Sequence, residues 1–146
     1  MNTTNAELTS GGETKRVLIM DDDLELSFDL ARQLREYGFD VDTVTNASDA
    51  IAHFKNRNYT AVVTDMIIKS ENRSLPDGGL SLIHRLRRMQ QDDPQKAACV
   101  IIGMSGVTKY PGMQNILTTA ESLGADATMK KPVSSALLVS TIEELL

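Results

Sequence analysis

Val17-Leu18-Ile19-Met20-Asp21-Asp22-Asp23 sets four consecutive apolar residues directly against three acids. Unbroken apolarity over so few residues predicts a strand buried on both faces, not one with a wet side. The abrupt switch to carboxylates puts chemistry at that strand's carboxyl end. The following stretch, Leu24 to Tyr37, carries Phe28, Leu30, Ala31 and Leu34 at roughly helical spacing, and Gly38 ends it as a helix C-terminal glycine does.

The same alternation runs on through the chain. Val41 to Val44 reads as a second strand, and Ser48 is a candidate cap for a helix through Ile51, Ala52, Phe54 and Lys55. Ala61-Val62-Val63-Thr64 is a third apolar run, ending at Asp65. A breaker-rich loop spans Lys69 to Gly79, and Leu80 to Met89 is helical with Leu82, Ile83 and Leu86 on one side. Cys99 to Ile102 is a fourth strand closing near Met104-Ser105. Gln114 to Leu123 is helical up to Gly124, and Ala127 to Met129 is a short fifth strand. Ser134 or Ser135 caps a last helix with Leu137, Leu138, Val139, Ile142, Leu145 and Leu146. Five strand–helix units in succession predict right-handed crossovers, a parallel sheet and helices on both faces, an α/β doubly wound fold.

Composition bounds the function. The 146 residues suit one domain, read as a polar tail over 1–14 followed by a folded unit over 15–146 with no second domain after the fifth helix. No apolar run nears the roughly 18 residues a membrane helix needs, and the tail lacks the order of a secretory signal. One cysteine, Cys99, rules out an internal disulfide. It reads as a small core residue, in keeping with a reducing cytoplasm. A net charge of −5 and no basic stretch interleaved with aromatics argue against direct nucleic-acid binding. Arg85, Arg87 and Arg88 read as a solvated helix face, and His53 and His84 fall on helices away from the strand ends.

In a sheet of this kind ligands bind beyond the carboxyl ends of the strands. Asp21, Asp22 and Asp23 follow the first strand, Asp65 the third, Ser105 the fourth, and Lys130-Lys131-Pro132 the fifth. Clustered carboxylates repel unless a cation balances them, and Mg²⁺ favours a few carboxylates plus water and phosphate oxygens. A carboxylate nucleophile, a hard cation and a lysine together suit phosphoryl transfer. Taken singly the residues say little: Asp23 is a natural helix cap, and Lys-Pro is a natural helix stop. Their coincidence at four strand ends carries the argument.

That set of motifs resembles the receiver domain of two-component response regulators, over about Lys15 to Leu146. The resemblance implies a flavodoxin-like five-stranded parallel sheet in the order 2-1-3-4-5. It matches the family's acidic pair to Asp21-Asp22, its phospho-accepting aspartate to Asp65, its hydroxyl residue to Ser105 and its lysine to Lys131. Asp77-Gly78 matches the pair that opens the third helix. By that likeness Asp65 takes a phosphoryl group from a histidine kinase or a histidine phosphotransfer protein. Mg²⁺ is held by Asp22, Asp65 and the Ile67 carbonyl, with Asp21 helping through water. Lys131 meets the phosphoryl oxygens, and Ser105 turns toward them as the switch. The readout is then contact with a downstream protein through the fourth helix, fifth strand and fifth helix. That face also allows a homodimer. The likeness implies a stand-alone signalling module, not an enzyme in the usual sense.

Three departures qualify the match. The loop between Asp65 and Asp77 is longer than the family's common spacing, with Lys69 to Arg73 read as a solvated insertion. Thr128 stands where many receivers carry a switching aromatic, so switching falls to Ser105 alone or to another group such as Tyr110. Ile67 and Val107, two residues after Asp65 and Ser105, are apolar where polar side chains often tune dephosphorylation, which predicts a long-lived phosphorylated state. Two other readings compete. One is a receiver-fold binding module that is never phosphorylated. The other is a haloacid-dehalogenase-type phosphatase using Asp21 and Asp23, which would leave the Asp65 match a coincidence.

Overall fold

Each apolar run that stops at a reactive residue forms a strand. The computed structural model describes residues 15–66, 68–70, 73–75, 77–106 and 124–146. The elements are β1 (Arg16–Met20), α1 (Leu24–Glu36), β2 (Asp40–Val44), α2 (Ala47–Asn56), β3 (Ala61–Asp65), β4 (Ile68–Ser70), β5 (Arg73–Leu75), α3 (Asp77–Asp92), a 3₁₀ turn (Pro94–Lys96), β6 (Val100–Ser105), β7 (Ala127–Lys130) and α4 (Ser135–Leu145). The main sheet runs β2-β1-β3-β6-β7 with every pairing parallel, so the expected strand order holds. The expected helix at 114–123, with Tyr110 and Val107, lies outside the described residues, as does the tail over 1–14.

Parallel strands covered on both sides must be apolar on both sides, and they are. Leu18, Met20, Val62 and Ile101 pack on one face with Phe54 of α2 and Leu82 and Leu86 of α3. Val17, Ile19, Val63 and Ile102 pack on the other with Leu30 and Leu34 of α1 and Leu138 and Ile142 of α4. Phe54 is fully buried, and truncating a side chain of that size to Ala costs about 3–5 kcal/mol.

Local chemistry ends the helices. Asp23 caps α1 by accepting from the Leu26 amide at 3.1 Å, and Ser134 caps α4 by accepting from the Leu137 amide at 3.2 Å. Gly38, at φ 100°, takes the left-handed turn beyond α1, where its amide donates to the Arg35 carbonyl. The cap of α2 is Asn46, not Ser48: its side chain accepts from the Asp49 amide at 2.8 Å. Both are capping types, but Ser48 already lies inside the first turn.

Three other expectations change. Phe28 is 57% exposed, and Ser27 takes the core position in its place. The buried stripe is Ser27, Leu30, Ala31 and Leu34, the i, i+3, i+4, i+7 set that an α-helix presents to one side. The loop after Asp65 is not wholly irregular. β4 and β5 form an antiparallel hairpin pairing Ile68 with Leu75 and Ser70 with Arg73, and α3 starts at Asp77, three residues before Leu80. Arg87 is not on a solvated face. It donates to the Gly124 carbonyl and Gln90 and pairs with Asp126 at 2.7 Å, while Arg85 and Arg88 are exposed.

Candidate functional site

Parallel pairing brings the strand ends to one edge. Asp21 follows β1, Asp65 closes β3 opposite Met104, and Ser105 closes β6 opposite Lys130 of β7. Asp21 is fully buried, Asp22 half-buried, and Asp65 and Ser105 buried. Carboxylate oxygens of Asp21, Asp22 and Asp65 lie within 4.8 Å of one another. Lys131 reaches into this cluster, its Nζ 2.8 Å from Asp21 Oδ2 and 3.4 Å from Asp65 Oδ2.

The backbone fixes these groups before any ligand arrives. The Asp21 amide donates to the Val44 carbonyl, the Met66 amide to the Met104 carbonyl and the Lys131 amide to the Ser105 carbonyl. Asp21 Oδ1 accepts from the Asp23 amide at 2.9 Å, so the third acid of the run both caps α1 and orients the first. The lysine stem runs over Gly106, where a Cβ would sit 3.3 Å from Lys131 Cβ and 3.4 Å from Cδ. The sequence gives no hint of this contact beyond a glycine following the strand.

Charge is unevenly matched here. Burial alone would lower the Lys131 pKa, but Asp21 and Asp65 together outweigh it, so the ammonium sits above its ordinary value. Among the described residues, three clustered carboxylates share one ammonium, which contacts Asp21 and Asp65. Asp21 Oδ2 is fully enclosed, and its contact with Lys131 is ionic without a well-directed hydrogen bond. A set of hard oxygen donors with surplus negative charge and an under-satisfied buried oxygen fits a small divalent cation such as Mg²⁺.

The chain belongs to the response regulator receiver domain family. The family matches residues 17–143, nearly the whole folded unit. Among curated proteins, the transcriptional regulatory protein PrrA of Mycobacterium leprae is 32% identical over 140 residues, covering 95% of this chain and 53% of that protein. The chain thus spans about half the length of the curated relatives it matches. Among solved structures, a CheY-like receiver domain protein from Methanospirillum hungatei superposes with a TM-score of 0.72 at 23% identity, covering 90% of this chain and 93% of that one. The Thermotoga maritima response regulator TrrA, solved in complex with Mg²⁺–BeF, gives a TM-score of 0.68 at 23% identity over 91% of this chain and 100% of that one. The receiver is therefore a two-component signalling module, and among its described residues no helix is long and apolar enough to cross a membrane.

Not every expected site residue joins the rim. Ile67 lies outside the described residues. Thr128 is half-buried on β7, opposite Gly103 in the register, two residues before the reactive end of its strand. His53 lies on α2 with Nδ1 2.9 Å from the Asp49 carbonyl, and His84 is exposed on α3. Cys99 is buried just before β6, and burial pushes its thiol up to about 12.

Proposed function

We propose that Asp65 is the phosphoryl acceptor of this receiver. The observation that carries the proposal is the convergence of Asp21, Asp22 and Asp65 within 4.8 Å of one another, with the Lys131 ammonium on Asp21 and Asp65. An Asp65 carboxylate oxygen attacks the phosphorus of a phosphohistidine on a histidine kinase or histidine phosphotransfer protein. The O–P bond forms as the P–N bond breaks, and the leaving ring, already protonated on its other nitrogen, keeps the bonding pair and departs as neutral imidazole. Asp22, Asp65 and the Ile67 carbonyl would hold Mg²⁺, with Asp21 acting through water. Once bound, Mg²⁺ would neutralise charge on the transferring phosphoryl oxygens.

The remaining work falls to the chain. Lys131, tied by its backbone to Ser105, is placed to meet a phosphoryl oxygen now shared with Asp65. The new group brings about −1.5 to −2 charge to an edge already rich in acids, so the Lys131 contacts must redistribute. Ser105, at the end of a fully buried strand, then turns its hydroxyl to the phosphoryl group and passes the change to β7 through the β6–β7 pairing. A downstream protein reads the result on the β7–α4 face. There Thr128, Lys130, Pro132, Val133, Leu137 and Thr141 line an open cavity of about 460 Å³, and Leu137 stays exposed.

Intact mass after incubation with acetyl phosphate tests the reading. A phosphoryl adduct that requires Mg²⁺ and is lost in Asp65→Asn supports it. No adduct, together with no Mg²⁺ or beryllofluoride binding, would favour a binding module that is not phosphorylated.

A further inference from the structure

Gly103 stands in the interior of a buried central strand, the place where a glycine is least favourable. It has no unusual backbone angle to explain it. What it has is a neighbour: a Cβ at Gly103 would collide with Met66 Sδ, with Met66 Cγ at 3.3 Å and Cε at 3.6 Å. The thioether of Met66 crosses β6 through the gap that the missing side chain leaves. Met66 is fully buried among the residues between the sheet and helices α2 and α3, so it cannot yield without disturbing that packing.

The position of this contact gives it meaning. Met66 directly follows Asp65, and its amide donates to the Met104 carbonyl at 2.8 Å. Gly103 lies two residues before Ser105 on β6, so the two point to the same face of the sheet. Met66 therefore grips β6 twice, by backbone at Met104 and by side chain at Gly103, between Asp65 and Ser105.

We propose that Met66 and Gly103 are a positioning pair that sets where the Asp65 carboxylate stands relative to the other two acids and to Ser105. The proposal rests on the reading of Asp65 as phosphoryl acceptor, and it extends that reading to two residues outside the charged rim. Neither touches the reacting atoms. They act through the Asp65–Met66 backbone.

The test is a double-mutant cycle on the full chain. The phosphorylation rate with acetyl phosphate is read by intact mass, Mg²⁺ affinity by calorimetry, and urea stability alongside. Gly103→Ala pushes the thioether out, and Met66→Ala removes the grip; each is expected to slow phosphorylation by about tenfold or more and to weaken Mg²⁺ binding. In Met66→Ala/Gly103→Ala the new methyl occupies the vacated space, and both readouts return to within about threefold of wild type. Because the two residues touch, their stability changes will couple as well; a merely structural role would leave the rate and Mg²⁺ affinity of the folded fraction of each single variant at the wild-type values.

Single variants matching wild type in rate and affinity, or a double variant as impaired as Gly103→Ala, would overturn the pair. Should Gly103→Ala not fold, the double variant against Met66→Ala decides the matter, with the double expected to be the faster. Should wild type take no phosphoryl group from acetyl phosphate yet bind Mg²⁺, the affinity cycle alone decides the pair. Absence of both in wild type overturns both.

Discussion

The two ends of the sheet handle charge in opposite ways. At the carboxyl edge, among the described residues, three carboxylates cluster with one lysine that contacts two of them, and a buried oxygen of Asp21 lacks a directed donor. At the amino edge charge is matched by fixed partners. Lys96 is buried, yet its Nζ donates to the Phe54 and Arg57 carbonyls and to Asn58, and it lies 5.1 Å from the centre of the Phe54 ring. It thereby closes the carboxyl end of α2, where a cation suits the helix dipole. Gln90 donates to the Lys96 and Cys99 carbonyls, Arg87 donates to Gln90 and Gly124, and Asp126 receives both Arg87 and the Ile101 amide. One edge is held by a closed network. Among the described residues the other gathers three carboxylates and one lysine, and clustered charge of this kind is typical of a binding site.

The largest expected effect breaks the reactive edge outright: Asp65→Asn loses the phosphoryl adduct altogether, as intact mass would show. Next, Lys131→Ala slows phosphorylation by about a hundredfold while the adduct still forms, because only charge stabilisation is lost. Mg²⁺ sharpens the contrast. At a hundred times its dissociation constant it should stabilise the fold by about 2.7 kcal/mol, seen as a rise in the thermal midpoint that chelation reverses and Asp22→Asn lacks.

At the opposite edge Lys96→Met is expected to cost about 1–3 kcal/mol in urea unfolding, from carbonyls left unpaired. Phosphorylation of the folded fraction should be unchanged, and a clear drop in its rate would erase the distinction between the edges.

The smallest effect is at high pH. The folded Cys99 pKa is raised, so the stability it contributes is complete below the unfolded thiol value of roughly 8.5 and is lost as pH rises toward about 12. The raised Lys131 pKa has the same sign, but its contribution lasts until pH passes the raised value, beyond 10.5. Stability between pH 8.5 and 10 should therefore fall in wild type and flatten in Cys99→Ala.

Much of the reactive edge was legible because a buried parallel strand must be apolar until it leaves the core. Asp21, Asp65 and Ser105 announce themselves as the residues where the apolarity stops. The helices were harder to place. Phe28 drew the eye as the largest apolar residue of its stretch, but burial follows angular position, and Ser27 completes the stripe that Leu30, Ala31 and Leu34 begin. Ser48 and Asn46 have similar capping chemistry, and the path of the chain into α2 chose between them. Arg87 and Lys96 look like surface charges in any local window. Their partners lie 37 and 42 residues away, at Gly124 and Phe54, and no periodicity reports that separation.

By itself the sequence determined the strand–helix alternation, the sheet order through its likeness to receivers, and the residues that meet at the rim. Those follow from short-range pattern: apolar runs, breakers, and the acids, hydroxyl and lysine that follow the strands. Only the tertiary structure decided which distant partners meet Arg87 and Lys96, and that a glycine in the middle of β6 makes room for the side chain beside Asp65. Both depend on atoms from distant segments sharing a few ångströms, and sequence records composition along the chain, not contact across it.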